Sequence, residues 1–228
     1  MKPISSITKV DQVRQAVLEL IFSGHLVPGQ RLVEANLARD FGVSQATVNA
    51  ALQDLHDQGV VTKILNRSSN VNRYTASEVN RLFAVRTVLE PMASAEASRQ
   101  LTRDGVRILA EQVDSMRRAA LAQDLPGFCL ADYTFHQRIY HLTRNSFLIQ
   151  ACQAIAAAPF AYLLCDCLGA LPTDYVSLAE DHEHVLRAIE RGPAAAAQVT
   201  LERIEKWRSH SIRALEALAE GSVQHAVA

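Results

Sequence analysis

Cysteine is scarce in this chain of 228 residues, and its four cysteines do not form a metal or disulfide pattern. They are Cys129, Cys152, Cys165 and Cys167, unevenly spaced within apolar stretches of helical pattern. Cys165 and Cys167 would point to nearly opposite sides of a helix, which suits neither a mutual disulfide nor a shared zinc ion. We therefore expect reduced thiols in apolar cores rather than a redox centre.

Long apolar runs are lacking as well. The longest candidate, Ala151 to Leu168, is interrupted by Pro159 and Asp166 and falls short of the roughly 20 residues of a membrane span. Ser, Thr and Lys interrupt the first residues, so that no apolar core of a signal peptide is visible there. We expect a cytoplasmic protein that does not bind membranes. With 49% hydrophobic residues, its composition supports two modest domains with well-formed cores.

Between Leu32 and Val61 the chain has the pattern of two short amphipathic helices, joined by a tight turn and followed by a strand. Gly42 supplies the turn, and Ser44 stands where an N-cap accepts the free N–H groups of the second helix. The apolar face of that helix contains Val48, Leu52 and Leu55. The polar face contains Gln45, Asn49 and Gln53. Because Gln and Asn can make bidentate contacts to base edges, this pattern predicts a helix that reads the major groove of DNA; the alternative is an ordinary helical hairpin.

A short β-ribbon is predicted directly after these helices. A β-branched run extends from Val60 to Leu65, and after five polar residues an apolar side chain returns at Val71. Arg67 would stand at the polar tip of the ribbon, near a backbone phosphate. This ribbon favours a winged helix-turn-helix over the simple hairpin, with Ser44, Gln45, Thr47, Asn49 and Arg67 as its DNA-binding residues.

The first 74 residues resemble the winged helix-turn-helix of GntR-type bacterial transcription regulators. The matching residues are Gly24, Pro28, Gly29, Arg31, Leu32, Glu34, Leu37, Ala38, Gly42, Val43, Ser44, Ala51, Leu52, Leu55 and Gly59. The chain departs from the family at Gln45 and Asn49, where basic residues are common, and at Asn66, where the wing often has Gly. Residues 1–74 hold 8 Lys and Arg against 6 Asp and Glu, a net +2, so that tight DNA binding would need two such domains acting together.

From Thr75 onward strand signals disappear, which predicts a mostly α protein whose residues 75–228 form an all-α antiparallel bundle of six or seven helices. The expected helices run from an N-cap at Ser77 to about Gln100, from Thr102 or Asp104 to about Gln123, from Asp124 to Asn145, from Ser146 to about Leu168, from Asp174 to Arg191, and from just after Pro193 to about Ala219. The segment Arg73–Ala76 is then a short linker between the two domains.

The second half resembles the effector-binding domain, called FCD, of the FadR-like branch of the same regulators. The matching residues are Arg86, Leu89, Glu90, Pro91, Asp132, His136, Asn145, His182, Val185, Leu186, Ala188 and Ile189. The two resemblances together cover nearly the whole chain, in the order that the family has. They imply a ligand-responsive transcription regulator, a repressor, with operator DNA and a small-molecule effector as its partners.

Asp132, His136 and His182 are the candidate metal ligands of this half. Asp132 and His136 are four residues apart and share one helix face, where a carboxylate and an imidazole can bind one cation. The resemblance implies a divalent metal such as Zn²⁺ or Ni²⁺, held by three histidines and an aspartate. The expected fourth ligand falls at Ile204, which cannot coordinate a metal.

Three alternatives for this site stay open. One is a metal with three protein ligands, completed by water or by a carboxylate effector. Another is a metal-free pocket in which the histidines bind an anion, and the last is a polar core without a ligand. Arg86 and Glu90, one helical turn apart, are further candidates for effector binding; Arg86 would hold a ligand carboxylate in a bidentate fork or pair with Glu90 itself.

The predicted protein is a homodimer that presents two winged helices to half-sites about one helical turn apart. A small carboxylic acid bound in the bundle would change the distance between the two winged helices and so their affinity for the operator. One alternative is a metal-free regulator that senses an acyl thioester or another bulky ligand. A metal-dependent enzyme using Asp132, His136 and His182 is the remote alternative, because no general base or nucleophile motif accompanies them.

Overall fold

The computed structural model describes residues 7–64, 68–159 and 174–226 and is mostly helical, as predicted. The elements, numbered along the chain, are α1 (Lys9–Phe22), β1 (Arg31–Val33), α2 (Glu34–Phe41), α3 (Gln45–Asp57), β2 (Val61–Ile64), β3 (Ser68–Val71), α4 (Ala76–Arg99), α5 (Arg103–Leu121), α6 (Leu125–Leu142), α7 (Ser146–Pro159), α8 (Tyr175–Arg191) and α9 (Pro193–Ala226). The elements up to β3 form a winged helix-turn-helix, and the later helices form a bundle.

The winged helix-turn-helix contains two elements that the sequence analysis did not predict. Helix α1 packs on α3, and strand β1 completes an antiparallel sheet of order β1-β3-β2. Val61 pairs with Val71 and Arg31 with Asn70, so that β3 is the central strand. The sheet therefore ties the wing back to the start of α2, and its central strand is protected on both edges.

Several helices of the chain begin at side-chain caps, whereas α2 follows Val33 without one. Thr75 accepts a hydrogen bond from the N–H of Glu78, whose carboxylate accepts in return from the backbone N–H of Thr75. This capping box starts α4 at Ala76, so that the prediction of Ser77 as its N-cap was wrong. Thr102, Asp124 and Asp174 cap α5, α6 and α8 close to the predicted starts.

In the described part of the bundle six helices pack around an apolar core, within the predicted six or seven. Helix α4 runs along α9, α5 packs on α6 and α8, and α7 covers α4 and α6. Pro91 lies inside α4 and is buried, and the helix continues through it to Arg99. Helix α9 extends to Ala226, beyond the end expected near Ala219. Helix α7 is described as far as Pro159, and the rest of the predicted segment lies outside the described residues.

The winged helix and the bundle are in direct contact. The rings of Phe22 on α1 and Tyr133 on α6 lie 6.2 Å apart, and the Tyr74 hydroxyl donates to the carbonyl of Gly59 over 2.7 Å. Tyr74 also packs against the apolar cluster formed in the bundle by Val79, Phe83, Ile204 and Ala214. The two parts of the chain therefore share contacts at α1 and at the linker.

The remaining expectations concern thiols and membranes. Cys129 and Cys152 are buried free thiols, as expected, and burial raises the pKa of the Cys152 thiol to about 12, helped by the nearby Glu90. Such a thiol is protonated and unreactive at neutral pH. Cys165 and Cys167 lie outside the described residues.

None of the described helices combines the length and apolar character that crossing a bilayer requires.

Candidate nucleic-acid interface and buried polar site

Helix α3 has the geometry of a recognition helix. Gly42 turns the chain with a φ of +64°, and the hydroxyl of Ser44 accepts a hydrogen bond of 3.1 Å from the N–H of Thr47. The apolar face of α3 is fully buried through Val48 and Leu52. This burial fixes the rotation of α3 about its axis and turns its polar face outward.

The polar face of α3 is exposed at Gln45 and Asn49, as the pattern predicted. The amide of Asn49 donates to the carboxylate of Glu34 over 2.7 Å, which orients the Asn49 side chain in the absence of DNA. Gln53, further along, is half-buried and donates to Asp57 over 2.8 Å. Arg67, the predicted phosphate contact, lies outside the described residues.

Asp132, His136 and His182 come together inside the bundle. The first two lie one turn apart on α6, and His182 lies on α8; all three are buried. One potential ligand atom from each lies within 4.8 Å of the others, which makes the group a possible metal site. His182 Nδ1 donates to the carbonyl of Leu178 over 2.7 Å, so that Nε2 faces Asp132, whose Oδ1 is 2.5 Å away.

Arg203 on α9 enters this group, and the sequence analysis missed it. Its Nη2 lies 2.5 Å from Nε2 of His182 and 3.3 Å from Oδ1 of Asp132, and its Nη1 lies 3.2 Å from Nε2 of His136. The guanidinium thus contacts every donor atom of the predicted metal site. Arg203 is only 8% exposed.

The predicted position of a fourth ligand was wrong by one residue. Ile204 packs with Val79, Phe83 and Ala214 in a separate apolar cluster, whereas Arg203 faces the two histidines. Consecutive residues of a helix point about 100° apart, so that only one of the two can face the site. An arginine at a buried position of α9 was the available signal, because buried charges are nearly always paired.

The residues present do not fit a bound metal while Arg203 holds this place. Their donor types suit Zn²⁺ or Ni²⁺. The lone pairs that a metal would use are, however, directed at a guanidinium that is already positively charged. A divalent ion would have to displace Arg203, a buried charge that would lose its partners in the group.

The ionisation of the group agrees with this arrangement. Burial opposes ionisation of Asp132, but His182, His136 and Arg203 outweigh it and hold the pKa of that carboxyl well below its usual range. Burial lowers the pKa of His136 well below its usual value and also lowers the pKa of His182, with Arg203 adding to both effects. The carboxyl of Asp132 and the guanidinium of Arg203 are therefore charged, whereas burial and the guanidinium both favour the neutral, hydrogen-bond-accepting form of the two imidazoles.

Arg86 and Glu90 form a buried ion pair on α4. Arg86 Nε lies 2.5 Å from one oxygen of Glu90, and Nη2 lies 3.3 Å from the other. Of the two roles considered for Arg86, the structure contains the pairing with Glu90. The guanidinium also lies over the ring of Phe83, 4.6 Å from its centroid.

Three buried polar atoms near these charges lack a hydrogen-bond partner among the described residues. They are Oδ2 of Asp132, Nε of Arg203 and the hydroxyl of Tyr140, which lies two turns after Asp132 on α6. Unpartnered polar atoms are rare in protein interiors, because each costs about 1–3 kcal/mol when left without a hydrogen bond. These three atoms therefore have a capacity to donate or accept hydrogen bonds that the described residues do not satisfy.

Models of known families match both halves of the chain. The model described as bacterial regulatory proteins, gntR family, matches residues 9–71. The FCD domain model matches residues 81–206, which include Asp132, His136, His182 and Arg203.

Known proteins are similar over most of the chain. A histidine utilization repressor of Klebsiella aerogenes is 30% identical over 190 residues, covering 79% of this chain and 73% of its own length. A probable D-xylose utilization operon transcriptional repressor of Paenarthrobacter nicotinovorans is 24% identical over 200 residues, covering 88% and 87%. The solved structure of E. coli McbR/YncC superimposes with a TM-score of 0.75 at 21% identity over 91% of this chain and 99% of that one, so that the two share a fold.

Proposed function

The chain belongs to the GntR family of bacterial regulatory proteins and carries an FCD domain, and from this premise we propose that it is a dimeric, cytoplasmic repressor released from operator DNA by a small organic acid. As a member of this family it is a ligand-responsive DNA-binding transcription regulator and not an enzyme. The observation that carries the effector proposal is the set of unpartnered polar atoms beside Arg203 in the buried interior.

The proposed DNA interface is the start and the polar face of α3. The N-cap at Ser44 and the first turn of the helix, with Gln45 and Thr47, would approach a phosphate and the edge of the groove. Asn49 would read a base: with one amide hydrogen held by Glu34, its carbonyl and second hydrogen can meet adenine together. Arg67 would contact a phosphate from the wing.

Replacing Asn49 by Ala is expected to relax base preference at one operator position by about 1–3 kcal/mol. The DNA to be used is the duplex that the wild-type protein selects from a random-sequence pool, compared with its single-base variants by fluorescence anisotropy. Gln53→Ala is the matched control, since Gln53 already bonds to Asp57 and should leave the preference unchanged. If Asn49→Ala keeps the base preference of the wild type, the proposal that this face of α3 reads the major groove is wrong.

The proposed effector site is the polar interior around Arg203. Arg203 Nε and the Tyr140 hydroxyl can donate to a carboxylate, and Oδ2 of Asp132 can accept from a hydroxyl group of the same molecule. This donor and acceptor set favours a small acid over a large apolar thioester. The histidines, Arg86 and Glu90 would form the surrounding wall.

Tyr140→Phe tests the site, because it removes only the unpartnered hydroxyl and keeps the buried ring. A panel of small mono-, di- and hydroxycarboxylic acids is first screened by thermal shift, since a ligand of the folded form raises the melting temperature. For an active acid we expect a change in operator affinity of about 5 to 150-fold, and an equal change in acid affinity when operator is present. The variant should bind the acid about tenfold or more weakly and bind DNA normally.

Two results would contradict the effector proposal. One is an active acid that binds Tyr140→Phe as tightly as the wild type, which would place its site elsewhere. The other is an acid that stabilises the protein but leaves operator affinity unchanged. An effector must bind the DNA-bound and the free protein with unequal affinity.

The proposed dimer surface is an apolar stripe on the outer face of α4. The stripe consists of Val85, Val88 and Met92, which are 44%, 66% and 55% exposed and lie at helical spacing. Its occupant would be a second copy of the chain, since the weakly charged DNA-binding segment needs a partner to hold an operator. The opposite face of α4 carries Arg86 and Glu90, so that one helix would connect the effector site, the dimer and the linker.

The coupling route that we propose runs from α9 to the linker. Arg203 is followed by Ile204, which packs on Phe83 of α4 in the apolar cluster that also includes Tyr74. Tyr74 holds the carbonyl of Gly59, at the end of the recognition helix. A ligand that shifts α9 together with Arg203 would therefore displace a packed row of side chains that leads to the end of α3.

A further inference from the structure

We propose that Arg203 is a built-in cation that takes the place of a divalent metal among Asp132, His136 and His182, so that the wild-type protein binds no metal there. The inference depends on the geometry of this group and not on the identity of an effector. It also predicts which single substitution would turn the group into a metal site.

The guanidinium fills the role that a metal has in such a group. Nδ1 of His182 donates to Leu178, so that Nε2 of the neutral ring directs a lone pair at Oδ1 of Asp132 only 2.5 Å away, and the two atoms repel each other unless positive charge lies beside them. Arg203 supplies that charge, with Nη2 2.5 Å from His182 and Nη1 3.2 Å from His136. The negative charge of Asp132 is thereby balanced without an ion from solution.

Arg203 cannot readily move aside for a metal. It is buried, and its two terminal nitrogens bond to three side chains on two other helices. Leaving the group would strand a charged guanidinium in the apolar interior and leave Asp132 without a partner. A metal in the presence of Arg203 would bring two cations against each other in the same interior.

Histidine at position 203 would complete a four-ligand site. Histidine is shorter than arginine by about the length of a zinc–nitrogen bond, roughly 2.0–2.1 Å. A metal bound to it would therefore lie about where the guanidinium nitrogens lie, within reach of Asp132, His136 and His182. The resulting ligand set of three imidazoles and one carboxylate suits zinc and nickel.

The experiment compares metal binding by the full-length wild type, Arg203→His, Arg203→Met and Ile204→His. Proteins purified without chelator are analysed for metal content and then titrated with ZnSO₄ or NiSO₄ by calorimetry. We expect no stoichiometric metal in the wild type, one ion per chain in Arg203→His, and an affinity at least tenfold higher than in the wild type. Ile204→His is the matched control, because Ile204 faces another cluster, and it should bind metal no better than the wild type.

Arg203→Met separates the loss of the cation from the gain of a ligand. It leaves the Asp132, His136 and His182 donors free of the guanidinium, so that its metal affinity should lie between those of the wild type and Arg203→His. Added Zn²⁺ should raise the melting temperature of Arg203→His but not that of the wild type, which also shows whether the variant is folded.

The metal content of the wild type is the first test, and His182→Ala shows whether an ion found there lies in this group. One metal ion per chain in the wild type, lost on His182→Ala, would overturn the proposal. So would equal metal affinities of the wild type, Arg203→His and Arg203→Met, since Arg203 would then not occupy the position of the ion.

Discussion

Val88→Asp on α4 is expected to weaken binding of the selected operator duplex by about 10²- to 10⁴-fold. Val88 is the most exposed residue of the apolar stripe, so that the substitution should not disturb the fold of one chain. In a two-fold dimer each copy would place a new carboxylate against the partner's apolar surface. In a dimer, binding of one DNA-binding segment holds the second at a high local concentration near its half-site. Separation of the dimer removes this effect, which accounts for the size of the expected loss in operator affinity.

The control for this result is Leu121→Asp. Leu121 is 71% exposed at the end of α5 and does not belong to the stripe. The control therefore introduces the same charge at an exposed apolar position outside the proposed dimer surface. Mass should be measured by light scattering after size-exclusion chromatography, and operator affinity by anisotropy. A wild-type protein that is a monomer, or a Val88→Asp variant that remains a dimer with full affinity, would contradict the proposed surface.

Asp132→Ala is expected to lower the free energy of unfolding by about 3–5 kcal/mol, measured by urea denaturation. The substitution leaves the buried Arg203 guanidinium without its counter-ion, and breaking a buried ion pair on one side is among the costliest single changes. Asp104→Ala is the matched control. Its partner Arg107 is solvent-exposed, so that water screens the pair and its loss should change the free energy of unfolding far less.

A double substitution shows whether the unpaired charge causes the loss. Asp132→Ala combined with Arg203→Met removes both charges and should recover a large part of the stability, because an apolar side chain replaces the stranded guanidinium. A loss below about 1 kcal/mol in Asp132→Ala, or no recovery in the double variant, would mean that Arg203 is stabilised in some other way.

The sequence was sufficient for the local features of the fold. Gly42 and Ser44 mark the turn and the start of α3, because a left-handed turn and an N-cap depend on a few neighbouring residues. The start of α4 was misplaced by two residues, because Ser77 and Thr75 are both good caps and only the reciprocal bond with Glu78 separates them. Strand β1 was missed since its three residues pair with a strand almost 40 positions later.

In the site, the sequence determined which helices carry Asp132, His136 and His182, because the spacing of polar residues within an apolar helix face marks them. Only the tertiary structure decided what lies between them. Whether Arg203 or Ile204 faces the site depends on the rotation of α9 against its neighbours, and that rotation is set by packing along the whole helix rather than by any local pattern. Side chains that meet across three helices, 21 and more positions apart in the chain, leave no periodic signal; their contact exists only once the bundle is closed.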